Sequence, residues 1–377
     1  MKIRASRISA SIAHAITDPP SAKRSLLAFI LAFFRFFHLY LTRFRAGDFA
    51  TLREEAWQFD EDAYRASFAA SSEAGKKHRR GNGKQRRVDT EEDGDEELVP
   101  VGDLGYSGST FFTTADGKFL IKSLPRAFEY EFFAQDLFFP YLAHMTKSPS
   151  SLLVRITDMV YSPRLSIGGL FGFAPTHHIV MENLLHGKEA FEDNTDEAGS
   201  SSGKWETYDL KPSDYFFPER DIADGKLAPE SVKAKLVDEF PDKIRVSTEN
   251  KKMLMEQLSA DTQLLADRSA VDYSLFLVRY PGPNARRQSS DNIPGPVGSD
   301  RGNLWRSGLD DEDGQWTYRC IVLDFFWAKH KTRAKIMTAL VGLLNLVVGK
   351  GPMSITAEAP EYRGRFLKMV DEMVVAV

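Results

Sequence analysis

The sequence predicts an α+β protein of two lobes, an antiparallel-sheet lobe followed by a larger mixed lobe. Three observations carry that prediction. The chain has 377 residues, 42% hydrophobic and 27% charged, which are ordinary globular values with enough length for two or three packed units. Between residues 98 and 183, β-branched and aromatic runs surround a single amphipathic helical pattern. From Trp205 onward, a long helical pattern at 250–267 is interleaved with two short apolar runs.

At the amino end, residues 25–44, SLLAFILAFFRFFHLYLTRF, are the stretch that bears on a membrane. A spanning helix needs about 20 mostly apolar residues, whereas the longest uncharged run here, 25–34, has ten and is followed by Arg35. An arginine at mid-bilayer costs about 2.5–3.5 kcal/mol on insertion scales, which disfavours a span. No small-residue cleavage site follows, so a secretory signal is not expected. Leu26, Ile30, Phe33, Phe37, Tyr40 and Phe44 recur at helical steps, with Lys23, Arg24, Arg35, Arg43 and Arg45 around them. That stripe fits either a helix lying in a membrane interface or one packed on the protein body or a dimer seam.

Residues 1–70 thus read as a helical region, ending at 49–68 in a short helix, an acidic turn and a second short helix. Residues 71–97 join a basic block, Lys76 to Arg87, to an acidic one, Asp89 to Glu97, with Val88 as their single large apolar residue. Such a segment cannot bury enough surface to offset its ordering entropy and reads as a flexible linker. In the first lobe, 98–183, strands at 109–114 and 118–123 are joined by Ala115-Asp116-Gly117, a hairpin signal. A helix is expected at 128–146 and strands at 152–161 and 178–183. An acidic Gly/Ser-rich loop spans 192–204. In the second lobe, 184–377, strands are expected at 271–278 and 318–325, and helices at 250–267, near 328–348 and from Glu361. Residues 281–314, rich in Pro, Gly, Ser and Asn, read as a structureless insertion.

Charge and cysteine content exclude some classes. Forty-nine Lys plus Arg against 53 Asp plus Glu gives −4, which argues against a nucleic-acid binder. The lone Cys320 excludes an intrachain disulfide and a cysteine-ligated metal, and points to a reducing compartment. No H-E-x-x-H or G-x-S-x-G pattern occurs, so zinc-peptidase and serine-hydrolase readings have no starting evidence.

The residues that could carry chemistry suit an ATP-dependent transfer. Gly105, Ser107, Gly108 and Ser109 lie on a turn entering a strand, where small residues let backbone N–H groups approach phosphate. Lys122, in FLIK at the end of the paired strand, is costly to bury without an anion; ATP phosphate and a helix glutamate, Glu129 or Glu131, would supply one. A plain turn with a snorkelling lysine accounts for the same residues. Asp272 in AVDYSLFLV and Asp324 in CIVLDFFW are single carboxylates in apolar runs. They suit a magnesium–ATP site, or ion pairs with Arg279 and Lys329.

Read together, these blocks resemble the phosphatidylinositol phosphate kinase family, in order, from about residue 49 to the carboxyl end. FATLREEAWQFDEDAYRASF resembles its entry motif, YSGSTFF with FLIK its glycine loop and ATP lysine, and SPSSLLVRITDMVYS with HHIVMENLL its hinge region. YDLKPS resembles D-L-K-G-S, VDYSLF resembles M-D-Y-S-L-L, IVLD resembles I-I-D, and SITAEAPEYRGRF resembles the closing Y-x-x-R-F block.

The resemblance implies a kinase-like fold with an ATP cleft between the lobes, and transfer of phosphate from ATP, with Mg²⁺, to the inositol ring of a phosphoinositide lipid. Phosphatidylinositol 4-phosphate, giving the 4,5-bisphosphate, is the expected substrate. It also implies a homodimer formed through residues 1–70 and peripheral contact with the cytoplasmic face of a membrane. In these terms Lys122 contacts ATP phosphate and pairs with Glu131, and the glycine loop binds the nucleotide. Met181 and Asn183 line the adenine pocket. Asp324 holds the metal, and Asp272 orients or deprotonates the attacking hydroxyl. Lys211 and Arg220 face the headgroup phosphate, and Lys350 meets the membrane. The chain departs from the pattern at Tyr106, where the family has lysine, and at Pro212, where it has glycine. Those departures keep open a catalytically weak scaffold; a soluble inositol phosphate is the other open substrate.

Overall fold

The computed structural model describes residues 2–17, 39–69, 98–101, 110–163, 174–189, 191, 204–212, 238–285, 293–298, 303–328 and 358–377. Gly105, Ser107, Gly108, Ser109, Arg220, Lys350, the 71–97 linker, most of the aromatic stripe and all but the first residue of the 328–348 helix lie outside them. The chain divides into two compact units, residues 1–126 with 155–183, and residues 127–154 with 184–377.

The first unit is built on a six-stranded antiparallel sheet. Its strands are β1 (Thr42–Arg43), β2 (Leu98–Val101), β3 (Phe111–Thr114), β4 (Phe119–Ser123), β5 (Ile156–Tyr161) and β6 (His177–Glu182), in the order β1-β5-β6-β4-β3-β2. The expected hairpin joins β3 to β4: Gly117 takes φ 69°, a left-handed angle that suits glycine, and Asp116 Oδ1 accepts from Thr114 Oγ1 and Lys118 N.

The region before the linker is not a separate helical part. Helix α1 (Lys2–Thr17) buries Ile8, Ile12 and Ile16 along one face, and its Ser9 hydroxyl exchanges hydrogen bonds with the Leu98 backbone. After β1 come α2 (Ala46–Thr51), a π-turn at Leu52–Ala56 and α3 (Glu61–Ala66), matching the helix–turn–helix reading. Asp60 caps α3 by accepting from Ala63 N at 2.8 Å. Phe59, Tyr64 and Phe68 pack on Phe119 of β4 with ring centroids 5.0 to 6.1 Å apart. Buried Arg53 binds Glu61 through two nitrogens, donates to Thr157 O and lies 3.5 Å from the buried carboxylate of Asp158.

In the second unit, helix α4 (Ala127–Phe132) runs through a π-turn at Phe133–Leu137 into α5 (Phe138–Lys147). The wide turn lies just before Pro140, which has no N–H for the Asp136 carbonyl and whose ring would crowd it in a regular helix. The sequence pattern places this helix within the sheet lobe. It groups instead with the second unit because Phe133 and Tyr141 pack on Phe326 and Phe325, and His144 Nε2 meets Asp261 Oδ1 at 2.6 Å. Asp261, fully buried, also accepts from Ser151 Oγ and Leu152 N, which ties this region to helix α6 (Thr248–Asp267).

The main sheet of this unit has the order β11-β12-β10-β7, from β7 (Glu206–Leu210), β10 (Ser274–Pro281), β11 (Leu309–Asp310) and β12 (Trp316–Leu323). Two small ladders flank it: β9 (Ala270–Val271) with β13 (Trp327–Ala328), antiparallel, and β8 (Ile244–Val246) with β14 (Val374–Ala376), parallel. Helix α7 (Ala359–Met373) buries Tyr362, Phe366, Val370 and Met373.

The described parts of 281–314 are more ordered than the composition suggests. Gly282 N bonds Gln315 O and Asn284 N bonds Gly314 O, so both ends extend the β10–β12 hairpin. A side chain at Gly282 would meet Gly314 O at 2.5 Å, so this glycine permits a close backbone approach. Asn303 caps the turn Leu304–Ser307, whose Trp305 and Arg306 are buried. Arg306 donates to the carbonyls of Ser151 and Leu153.

Candidate active site

In the first unit, Lys122 is buried on β4 with Phe111 and Ile179 as its cross-strand neighbours. Its Nζ lies 5.8 Å from the Phe111 ring centroid, within reach of a cation–π contact. Met181, on β6, is buried opposite Leu120. Asn183 fastens the strand end to the hairpin, its N donating to Lys118 O and its Nδ2 to Gly117 O. Glu182, the residue between them, accepts from Arg155 N at 2.9 Å.

In the second unit, strand register collects the remaining residues. Ser274 of β10 pairs with Leu323 of β12, and Leu275 pairs with Leu210 of β7. Asp272, Asp324 and Lys211 therefore leave three neighbouring strands at the same end of one sheet. Val271 then pairs with Trp327 in the β9–β13 ladder, so both aspartates sit on the short links between two ladders. Both links turn sharply: Asp272 and Asp324 each have φ 65°. Aspartate tolerates the left-handed region better than most residues, but two such angles on candidate carboxylates are the kind of strain that gathers at active sites. Aromatic residues brace the second link, with Phe325 and Phe326 buried and Trp327 edge-on to Phe128 at 4.8 Å.

Lys211 Nζ donates to Asp272 Oδ1 at 2.8 Å. Burial opposes the charged lysine, yet the carboxylates of Asp272, Asp209 and Asp324 outweigh it and hold the ammonium above its ordinary pKa. Arg279, the other cation considered for Asp272, is committed elsewhere, to Glu206 and Asp242, over the Trp316 ring. A groove of about 400 Å³ opens beside Lys211, where Lys243, Arg365 and Lys368 are interspersed with the carboxylates Asp238, Glu239, Asp242 and Glu372. Among the described residues no group of three or more His, Cys, Asp or Glu gathers as a metal site. Magnesium commonly takes only one or two carboxylates beside substrate phosphates and water, a demand Asp324 and its neighbours can meet. Of the helix carboxylates, Glu129 is buried and Glu131 half-buried.

A sheet unit with a buried strand lysine, and a mixed unit with two left-handed aspartates at one sheet end, make the two-lobed α+β fold kinase-like. The family model for phosphatidylinositol-4-phosphate 5-kinase matches residues 92–373, and the chain belongs to that family. A probable phosphatidylinositol phosphate kinase of Dictyostelium discoideum is 28% identical over 224 residues, 59% of this chain and 26% of the relative. A phosphatidylinositol 4-phosphate 5-kinase of Plasmodium falciparum is 29% identical over 177 residues, 47% of this chain and 9% of the relative. The human phosphatidylinositol 4-phosphate 5-kinase type-1 beta is 28% identical over 199 residues, 53% of this chain and 33% of the relative. The matched part thus spans about a third or less of each of these relatives. Among the described residues no helix is long and apolar enough to cross a membrane.

Proposed function

We propose that the chain transfers the γ-phosphate of ATP to the inositol ring of a phosphatidylinositol phosphate at a membrane surface, with phosphatidylinositol 4-phosphate as the substrate. The observation that carries this reading is the placement of Lys211, Asp272 and Asp324 at one end of β7, β10 and β12. Phosphoryl transfer asks a protein chiefly to position groups and neutralise charge. Lys122 binds ATP phosphate, and Glu131 of α4 is the carboxylate that the family resemblance assigns to it. Asp324 holds magnesium, which when bound neutralises charge on the phosphates. Asp272, held in place by its ammonium partner, accepts the hydrogen bond of the attacking hydroxyl and so orients it.

The experiment is transfer of labelled phosphate from Mg-ATP to each monophosphorylated phosphatidylinositol in liposomes, beside Asp324→Asn. Labelled lipid that disappears with the substitution supports the reading and identifies the substrate. ATP binding without transfer to any lipid turns the assignment toward a nucleotide-binding scaffold. Equal transfer to soluble inositol phosphates and to liposomes removes the membrane from it.

A further inference from the structure

The closing block of the sequence, EYRGRF at 361–366, has no role in the reaction described so far. In the structure it occupies most of the first two turns of α7, after a start with Pro360 near the first position. Its Tyr362 hydroxyl donates to the backbone carbonyl of Tyr273, the residue directly after Asp272. The two rings meet edge to face, centroids 4.7 Å apart and planes at 82°, and Phe366 closes on Tyr273 from one turn later at 5.1 Å. All three rings are buried. The helix is fixed from a second side, where Arg363 Nη2 donates to the backbone carbonyl and the hydroxyl of Ser259 on α6.

This arrangement matters because of where Tyr273 stands. Asp272 and Tyr273 link the β9–β13 ladder to the β10–β12 ladder, and Tyr273 belongs to neither. A buried carbonyl on such a link needs a partner, and Tyr362 supplies it. The adjoining Asp272 is held at φ 65°, a conformation that persists only where the surroundings over-determine it. From the other direction Lys211 fixes the Asp272 carboxylate. We infer that Tyr362 is a positioning residue for Asp272, clamping the backbone of the Asp272–Tyr273 link so that the carboxylate keeps its aim; this rests on the reaction proposed above.

The test uses the full chain and its lipid-transfer assay, with ATP and lipid varied. Tyr362→Phe keeps the ring and removes only the hydroxyl. The expected result is a fall in kcat of about tenfold, less than the roughly 100-fold that an ångström of misplacement costs, with the KM for ATP within twofold of the parent. Combined with Asp272→Asn, Tyr362→Phe should produce no further loss, because its effect runs through that carboxylate. Faster amide hydrogen exchange is also expected in the peptide around residues 271–275, with the β10–β12 core still protected. Unchanged kcat, or the same tenfold loss on the Asp272→Asn background, overturns the positioning role while leaving the proposed reaction standing. No transfer by the unaltered chain to any phosphatidylinositol phosphate overturns the reaction, and this role with it.

Discussion

The Nζ of Lys211 lies 2.8 Å from Oδ1 of Asp272, joining the first residue past β7 to the link that precedes β10. The family resemblance places Lys211 at the headgroup phosphate; the contact made in this structure is with the candidate hydroxyl-orienting carboxylate. The two roles separate kinetically. If Lys211 chiefly keeps the Asp272 carboxylate aimed, Lys211→Met lowers kcat by about 100-fold, in the range of positioned acid–base groups. The lipid KM then changes little, and the loss does not add to that of Asp272→Asn. A lysine that served only the headgroup would raise the lipid KM and leave kcat in place. Steady-state rates on liposomes of varied lipid content decide between them.

The ATP side offers a comparison of two neighbouring carboxylates. Glu129 is buried on α4 and Glu131 is half-buried. The family resemblance assigns the role at the ATP phosphates to Glu131, whereas burial makes the fold more sensitive to substitution at Glu129. Glu131→Gln is therefore expected to weaken ATP binding about tenfold, and Glu129→Gln by less than twofold, measured calorimetrically without lipid. The opposite order would move the role to Glu129.

Much of this was legible in the sequence because its signals are local. The Ala115-Asp116-Gly117 hairpin, the 248–267 helix and the isolated Asp272 and Asp324 announce themselves within a few residues. What stayed hidden depends on contacts between distant segments. The spacing of Ile8, Ile12 and Ile16 is helical, but nothing nearby shows that α1 would bond to Leu98. Composition alone made 281–314 look structureless, because Gly282 and Gly314 carry the same turn signal whether they end a hairpin or fill a loop. The Lys211–Asp272 pair spans 61 positions, and no local pattern could pair them in place of Arg279.

His178 on β6 gives the fold a defined acid sensitivity. It is fully buried, neither ring nitrogen has a hydrogen-bond partner, and burial, helped by His177, pushes its pKa down to about 3. The unfolded chain takes up a proton near pH 6.5 and the folded one near 3. Stability is therefore complete above pH 6.5 and falls as pH drops through that window, by about 1.4 kcal/mol per unit. Between pH 7.5 and 5.0 this histidine should account for about 2 kcal/mol of lost stability. His178→Leu, which has nothing to protonate, should show a correspondingly smaller shift in its urea midpoint over the same interval. Equal shifts in both proteins would assign the acid sensitivity to other groups.

Arg53 tests how the amino-terminal segment is held on the sheet. Its guanidinium has no exposure, spans Glu61 and the Thr157 carbonyl, and stacks 4.3 Å from the centroid of the Tyr64 ring. Asp158, also fully buried, depends on Arg53 at 3.5 Å and Arg43 at 2.6 Å, and burial still raises its pKa against both cations. Arg53→Met leaves this carboxylate with a single arginine, and breaking a buried pair from one side costs about 3–5 kcal/mol. Adding Asp158→Asn should recover part of that loss, since the stranded charge accounts for much of it. The pH dependence has a fixed sign. With Arg53 gone, the folded pKa of Asp158 rises further above its unfolded value, so the folded variant holds a proton that its unfolded chain has released. Because the parent's Asp158 pKa is already raised by burial, the deficit relative to the parent should grow only as pH rises past the parent's folded pKa and should shrink as pH falls through it, which paired denaturation curves at pH 5 and pH 8 would measure. A deficit that does not change with pH would show that the lost packing and the Glu61 and Thr157 contacts, rather than the Asp158 charge, make Arg53 necessary.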